Sequence, residues 1–168
     1  MTLLDAPVFN EVRERRNRNL YIGSAGLLVV LFIGWWLVAG RPVDWPWRWN
    51  SHLIGRMEVN SFFTAVEKND LPTAYGIWNH DKNWQQHPAQ GGAYPFTKFQ
   101  ADWSSSSPEN EYGTIHSHQI AAARMYGNVL LVGVLINDRK SKALFLDYDP
   151  KTHKLNFSPP DVELYLGK

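Results

Sequence analysis

The sequence predicts an α+β domain carried on one N-terminal transmembrane helix. Three observations predict it. The run from Asn19 to Gly40 holds no charged residue, apolar positions between Val59 and Trp78 recur at helical spacing, and after Gly113 the chain turns to strand-like stretches parted by short polar turns. Helices first and a meander of strands second give helices packed on one face of an antiparallel sheet.

The apolar run comes first. About 22 residues at about 1.5 Å per residue give about 33 Å of helix, enough for a hydrocarbon core of about 30 Å. Arg13, Arg15, Arg16 and Arg18 precede the run, whereas Arg41 and Arg48 follow it with Asp44 between them. The positive-inside bias therefore expects the N-terminus in the cytoplasm and the rest of the chain outside it, periplasmic or extracellular. Trp35 and Trp36 near the far end, and Trp45, Trp47 and Trp49 beyond it, are expected in the headgroup region, where indole rings partition. Pro42 and Pro46 stop the helix. The expected division is a basic tail (1–18), a transmembrane helix (19–40), a Trp/Pro-rich interfacial linker (41–55) and an extracytoplasmic domain (56–168). A cleaved secretory signal is the rival reading. The long charged leader, the length of the run and the bulky Leu37 before Val38-Ala39 favour retention as an anchor. The span holds no Asp, Glu, Lys, Arg or His and no GxxxG pair, so it reads as a simple anchor or as one that packs on another membrane subunit.

Composition bounds the rest. The chain has 168 residues and a net charge of +1, so no strong field points to nucleic acid. It has no cysteine, which excludes disulfides, thiol catalysis and zinc–thiolate sites.

Val59, Phe62, Phe63 and Val66 form one helical stripe, Asp70 is suited to cap a second helix with Pro72 in its first turn, and Leu71, Ala74, Tyr75 and Trp78 repeat the spacing. Asn79 to Gly92 reads as loop, Thr97 to Trp103 as a short helical piece, and Ser104 to Asn110 as a surface loop. Gly113 to Met125, Asn128 to Ile136, Lys142 to Asp149 and Lys154 to Phe157 are the strands, with Gly127-Asn128 and Asp138-Arg139-Lys140 as turns. The stretch FFTAVEKNDLPTAYGIW (Phe62 to Trp78), followed by a sheet of long strands, resembles the opening of nuclear transport factor 2-like domains, also called SnoaL-like or cystatin-like. The resemblance covers 56–168 and implies a strongly bent sheet forming a cone with a pocket. Enzymes of that superfamily use an Asp, or an Asp–His pair, inside the cone.

Four groups of residues are candidates for function. His116 and His118 share a strand face if the strand starts at Gly113, which admits a metal with His80 or His87, acid–base chemistry, or simple hydrogen-bonded histidines. Tyr75, Trp78, Phe99 and Trp103, with the two histidines, form either core or the wall of a ligand pocket. Asp102, set among aromatics, is the carboxylate a raised pKa would make a general base, with His118 as its partner. Val129 to Ile136 is apolar at successive positions, so both faces of that strand must be covered. Val129, Leu131, Val132 and Val134 then mark a surface for a second copy or a membrane-complex partner, unless the strand is buried within the monomer. The reading is a membrane-anchored, non-catalytic binding or interaction module that needs no cofactor or metal and meets membrane lipid. An isomerase- or dehydratase-like enzyme acting on a hydrophobic small molecule is the alternative.

Overall fold

A computed structural model describes residues 11–87, 94–139 and 143–158. It shows an α+β chain with a long apolar N-terminal helix and a four-stranded antiparallel sheet. The chain divides after Val38 into two compact units.

The first unit is α1 (Glu11–Val38), one helix of 28 residues with no buried residue, long and apolar enough to cross a membrane. It takes in Arg13 to Arg18, so the expected boundary between tail and span is a change of chemistry and not of backbone. Residues 1–10 of that tail lie outside the described residues.

In the second unit the short turn Pro46–Arg48 leads directly into α2 (Trp49–Glu67). The expected interfacial linker 41–55 is therefore half helix. Trp49, His52 and Gly55 form the buried face of its first turns, ahead of the stripe Val59, Phe62, Phe63 and Val66. This corrects the reading of Trp49: its ring is buried and its indole N–H donates to the Asp44 carbonyl at 2.8 Å, so it belongs to the domain interior and not to a membrane surface. Gly55 permits a close approach of helix to sheet, since a Cβ there would lie 2.6 Å from a Leu130 methyl and 2.7 Å from the Tyr148 ring.

Asn69, at φ 56°, ends α2, and Asp70 caps α3 (Leu71–Trp78) by accepting the Thr73 N–H at 3.2 Å, as the sequence predicts. The third domain helix, α4 (Phe96–Trp103), packs on α3. The sheet runs in chain order: β1 (His118–Tyr126), β2 (Val129–Ile136), β3 (Ala143–Tyr148) and β4 (Leu155–Phe157). Tyr126 pairs with Val129 across Gly127-Asn128, where Gly127 supplies the positive φ of 59° that a two-residue hairpin needs at its first position.

β1 starts later than the expected Gly113. The Asn137 side chain occupies the preceding segment, accepting the His116 and Ser117 N–H groups and donating to the Thr114 carbonyl. Those backbone groups are satisfied without a strand partner.

β2 is the central strand of the core. Leu130, Val132, Val134 and Ile136 are fully buried on the face toward the helices, and Leu131, on the other face, is only 3% exposed. On that outer face Phe145 lies across Gly133, where a Cβ would come within 2.9 Å of its ring. On the outer face Val129, Leu135 and Phe145 are half-buried. Its successive apolar residues are those of a central strand: Leu131, Val132 and Val134, expected as an interaction surface, are buried, and Val129 is half-buried.

Candidate functional site

The structure brings Tyr75, Trp78, Phe99 and Trp103 together, but as packed interior. All four are buried, and their rings meet around Phe62 and one another: Phe62 lies 5.4 Å from Trp78, 6.1 Å from Phe99 and 4.9 Å from Trp103, and Tyr75 lies 5.1 Å from Phe99. Tilted and edge-to-face contacts at these separations are the favoured aromatic geometry. Among the described residues these rings fill space and do not enclose it.

The two histidines part. His116 precedes β1 and is exposed, so the expected alternation with His118 on one strand face does not arise. His118 is half-buried and stacked on Phe63 at 5.3 Å. Its Nδ1 is 2.6 Å from Glu67 Oε1 and its Nε2 3.0 Å from Asn60 Oδ1. Both ring nitrogens are engaged by α2. Asp102 is held elsewhere: one oxygen pairs with Lys98 at 2.9 Å and the other accepts the Tyr94 hydroxyl at 2.8 Å. Burial and this carboxylate push the Tyr94 phenol above its ordinary range, and Glu109 with Asp102 holds the Lys98 ammonium above its own. Asp102 and His118 share no partner, and each side-chain oxygen of the one and ring nitrogen of the other already has a hydrogen-bonding or ion-pair partner. Among the described residues no three His, Asp or Glu side chains group as metal ligands.

A different opening exists. The seam between α2 and α3 carries a groove of about 830 Å³, lined by Glu58, Ser61, Thr73, Ile77, His80 and Lys82 with Pro72, Gly76, Trp84 and Gln85. A second hollow of about 370 Å³ shares Ser61, Thr73 and Ile77 with it and continues to Lys68 and Asp70. From Glu58 to Lys68 the helix rises about 15 Å, so the two form an elongated trough. Its wall is fixed: the Trp84 indole donates to the Pro72 carbonyl at 3.0 Å and lies against Gly76, where a Cβ would find it at 3.4 Å. One end is polar. His80 Nδ1 stands 3.9 Å from Glu58, and the His80 ring lies 5.0 Å from His153, which is hydrogen-bonded to the Tyr148 hydroxyl. Burial, aided by Glu58 and Asp149, pushes the Tyr148 phenol up to about 12. His80 and His153 both adopt left-handed backbone, at φ 51° and 59°. Sequence reasoning named His80 but did not bring these residues together as a site. Its residues stand on the polar side of two helices whose apolar sides drew attention.

Asp147 is a second feature the sequence did not flag. It stands on β3 across from Leu131, one carboxylate oxygen is buried without a hydrogen-bond partner, and burial raises its pKa to about 6. A folded value above the unfolded one means that the native state binds the extra proton between about pH 4 and 6. The contribution to stability is therefore full below pH 4 and lost as pH rises through 6. Replacing Asp147 with Asn is expected to raise stability by about 1 kcal/mol at pH 7, after discount for the solvent that still reaches the group. Urea unfolding at both pH values checks this, and the gain should vanish at pH 4.

Comparison with models of known families, with curated proteins and with solved structures finds no match for this chain.

Proposed function

We propose that the chain is a membrane-anchored, extracytoplasmic, non-catalytic module that receives an extended segment of a partner protein in the trough between α2 and α3. The trough is the observation that carries the reading. Six of the ten residues around its main groove are exposed: Ser61, Pro72, Thr73, His80, Lys82 and Gln85. A small-molecule site buries most of its ligand, whereas an open trough leaves one side of its occupant in water, as a peptide in a groove is left. About 15 Å accommodates four or five extended residues at about 3.3 Å each. Ile77, Trp84 and Pro72 offer apolar contact, and Glu58, His80 and Lys82 at one end, with Lys68 and Asp70 at the other, fix direction by charge. A partner among the proteins of a membrane complex is in keeping with α1, a helix long and apolar enough to cross a membrane. The resemblance to the nuclear transport factor 2-like superfamily, with its cone-shaped sheet, belongs to the same proposal and rests on the helix–break–helix opening.

The absence of cysteine makes the test clean. A Thr73→Cys chain in intact spheroplasts should react with a membrane-impermeant maleimide, whereas Asn17→Cys should react only after lysis. The opposite pattern would reverse the orientation. A photo-crosslinker on Thr73→Cys should then give one discrete adduct that is lost with Lys82→Glu, while the same crosslinker on Ser105→Cys gives none. Equal adducts at both positions, or none at Thr73, would remove the trough as the binding site.

A further inference from the structure

We propose that Val43, Trp45 and Trp47 form a rigid apolar wedge on the domain that enters the lipid interface, a membrane contact separate from the span. The inference rests on the anchor reading and deepens it. Segment 41–47 alternates. Arg41, Val43, Trp45 and Trp47 point to solvent, while Pro42 is buried and Asp44 and Pro46 are half-buried. Val43 is 103% exposed, Trp45 68% and Trp47 71%, and the two indoles stack at 5.1 Å with their planes 6° apart. Three exposed apolar side chains on one short segment, two of them stacked, are unfavourable in water unless something covers them.

The inward residues hold the wedge in place. The Asp44 carboxylate sits 2.6 Å from Nε2 of His52, itself 2% exposed, and takes a long contact from the Met125 N–H; its carbonyl accepts the Trp49 indole. The loop is thereby tied to α2 and β1, and the exposed rings lose little freedom on meeting a surface.

Lipid is the occupant that the chain itself indicates. Val43 lies five positions beyond Val38, the last residue of α1, which limits the reach to about 18 Å. A wedge on so short a leash stays near any bilayer that α1 crosses. Tryptophan is the side chain that partitions into the headgroup layer, and Arg41 and Arg48 flank the wedge with charge suited to lipid phosphate.

The test uses the full chain in phosphatidylcholine nanodiscs. An environment-sensitive fluorophore on Val43→Cys should lose emission with brominated lipid and be protected from aqueous iodide, whereas the same probe on Ser105→Cys should respond to iodide alone. Adding Trp45→Ala and Trp47→Ala should return the Val43 probe to iodide without changing the Ser105 probe. A Val43 probe open to iodide in a chain that stays with the nanodisc overturns the wedge and leaves the anchor standing. A probe shielded from both quenchers means protein covers the wedge and overturns it equally. A chain that does not remain with the nanodisc overturns both.

Discussion

Replacing Phe62 with alanine is expected to destabilise the domain by about 3–5 kcal/mol, the range for removing a buried aromatic ring. Phe62 is fully buried and is the ring on which the aromatic core converges. It contacts Phe63 at 5.1 Å and Trp103 at 4.9 Å edge-on, and it also meets Trp78 and Phe99. Its neighbours are large rings fixed by one another, so the vacated space cannot collapse. The loss joins α2, α3 and α4 in one event, because each contributes a ring to the contact. Chemical denaturation of the full chain in detergent should show a lower midpoint with an unchanged slope. A loss below about 1 kcal/mol would mean that the cluster is loosely packed, and the reading of these rings as solid core would give way to the ligand-pocket alternative.

Asp44→Ala is expected to cost about 1–3 kcal/mol, although Asp44 lies outside every helix and strand. The cost does not come from the lost carboxylate itself. It comes from His52, which would keep a buried ring nitrogen without a partner. A second substitution separates the two: His52→Phe in the Asp44→Ala background should recover part of the loss, because an apolar ring leaves no group unsatisfied. Hydrogen exchange over residues 39–48 should quicken in the single variant. Equal stability of the single and double variants would show that the imidazole finds water instead, and the tether of this loop to α2 would not be energetic.

The long uncharged run, the cap at Asp70 and the bounds of β2 were legible because each depends on local chemistry: charge-free length, a side chain three residues from its donor, a block of branched residues. The start of α2 was not. Its first buried turns use Trp49, His52 and Gly55, and neither a histidine nor a glycine registers as an apolar position. For the same reason Trp49 could not be told from Trp45 and Trp47 by composition; only the tertiary fold puts one inside and two outside. β2 showed correctly that both faces are covered, but a one-dimensional pattern does not say by what, and Phe145 over Gly133 is a contact between strands. The trough was the least legible feature. It is a shape between two helices, and no periodicity encodes a shape. Asp147 was hidden because the alternation of ALFLDY placed it where an outward polar residue belongs.

The nearest-neighbour order of the sheet has a kinetic consequence. Every strand pairs with the one adjacent in sequence, so the meander closes only short loops and its pairing is entropically cheap and fast. The contacts of α2 with β1 and β2 are the opposite, spanning about 65–75 residues of chain from midpoint to midpoint. In a domain that emerges across a membrane from its α1-proximal end, α2 can meet the rings of α3 and α4 early but waits for β1 and β2 before its remaining contacts form. With no cysteine to trap a wrong partner, the slow event is the docking of that helix on a sheet already formed. The interval before docking is when the exposed rings are most open to aggregation.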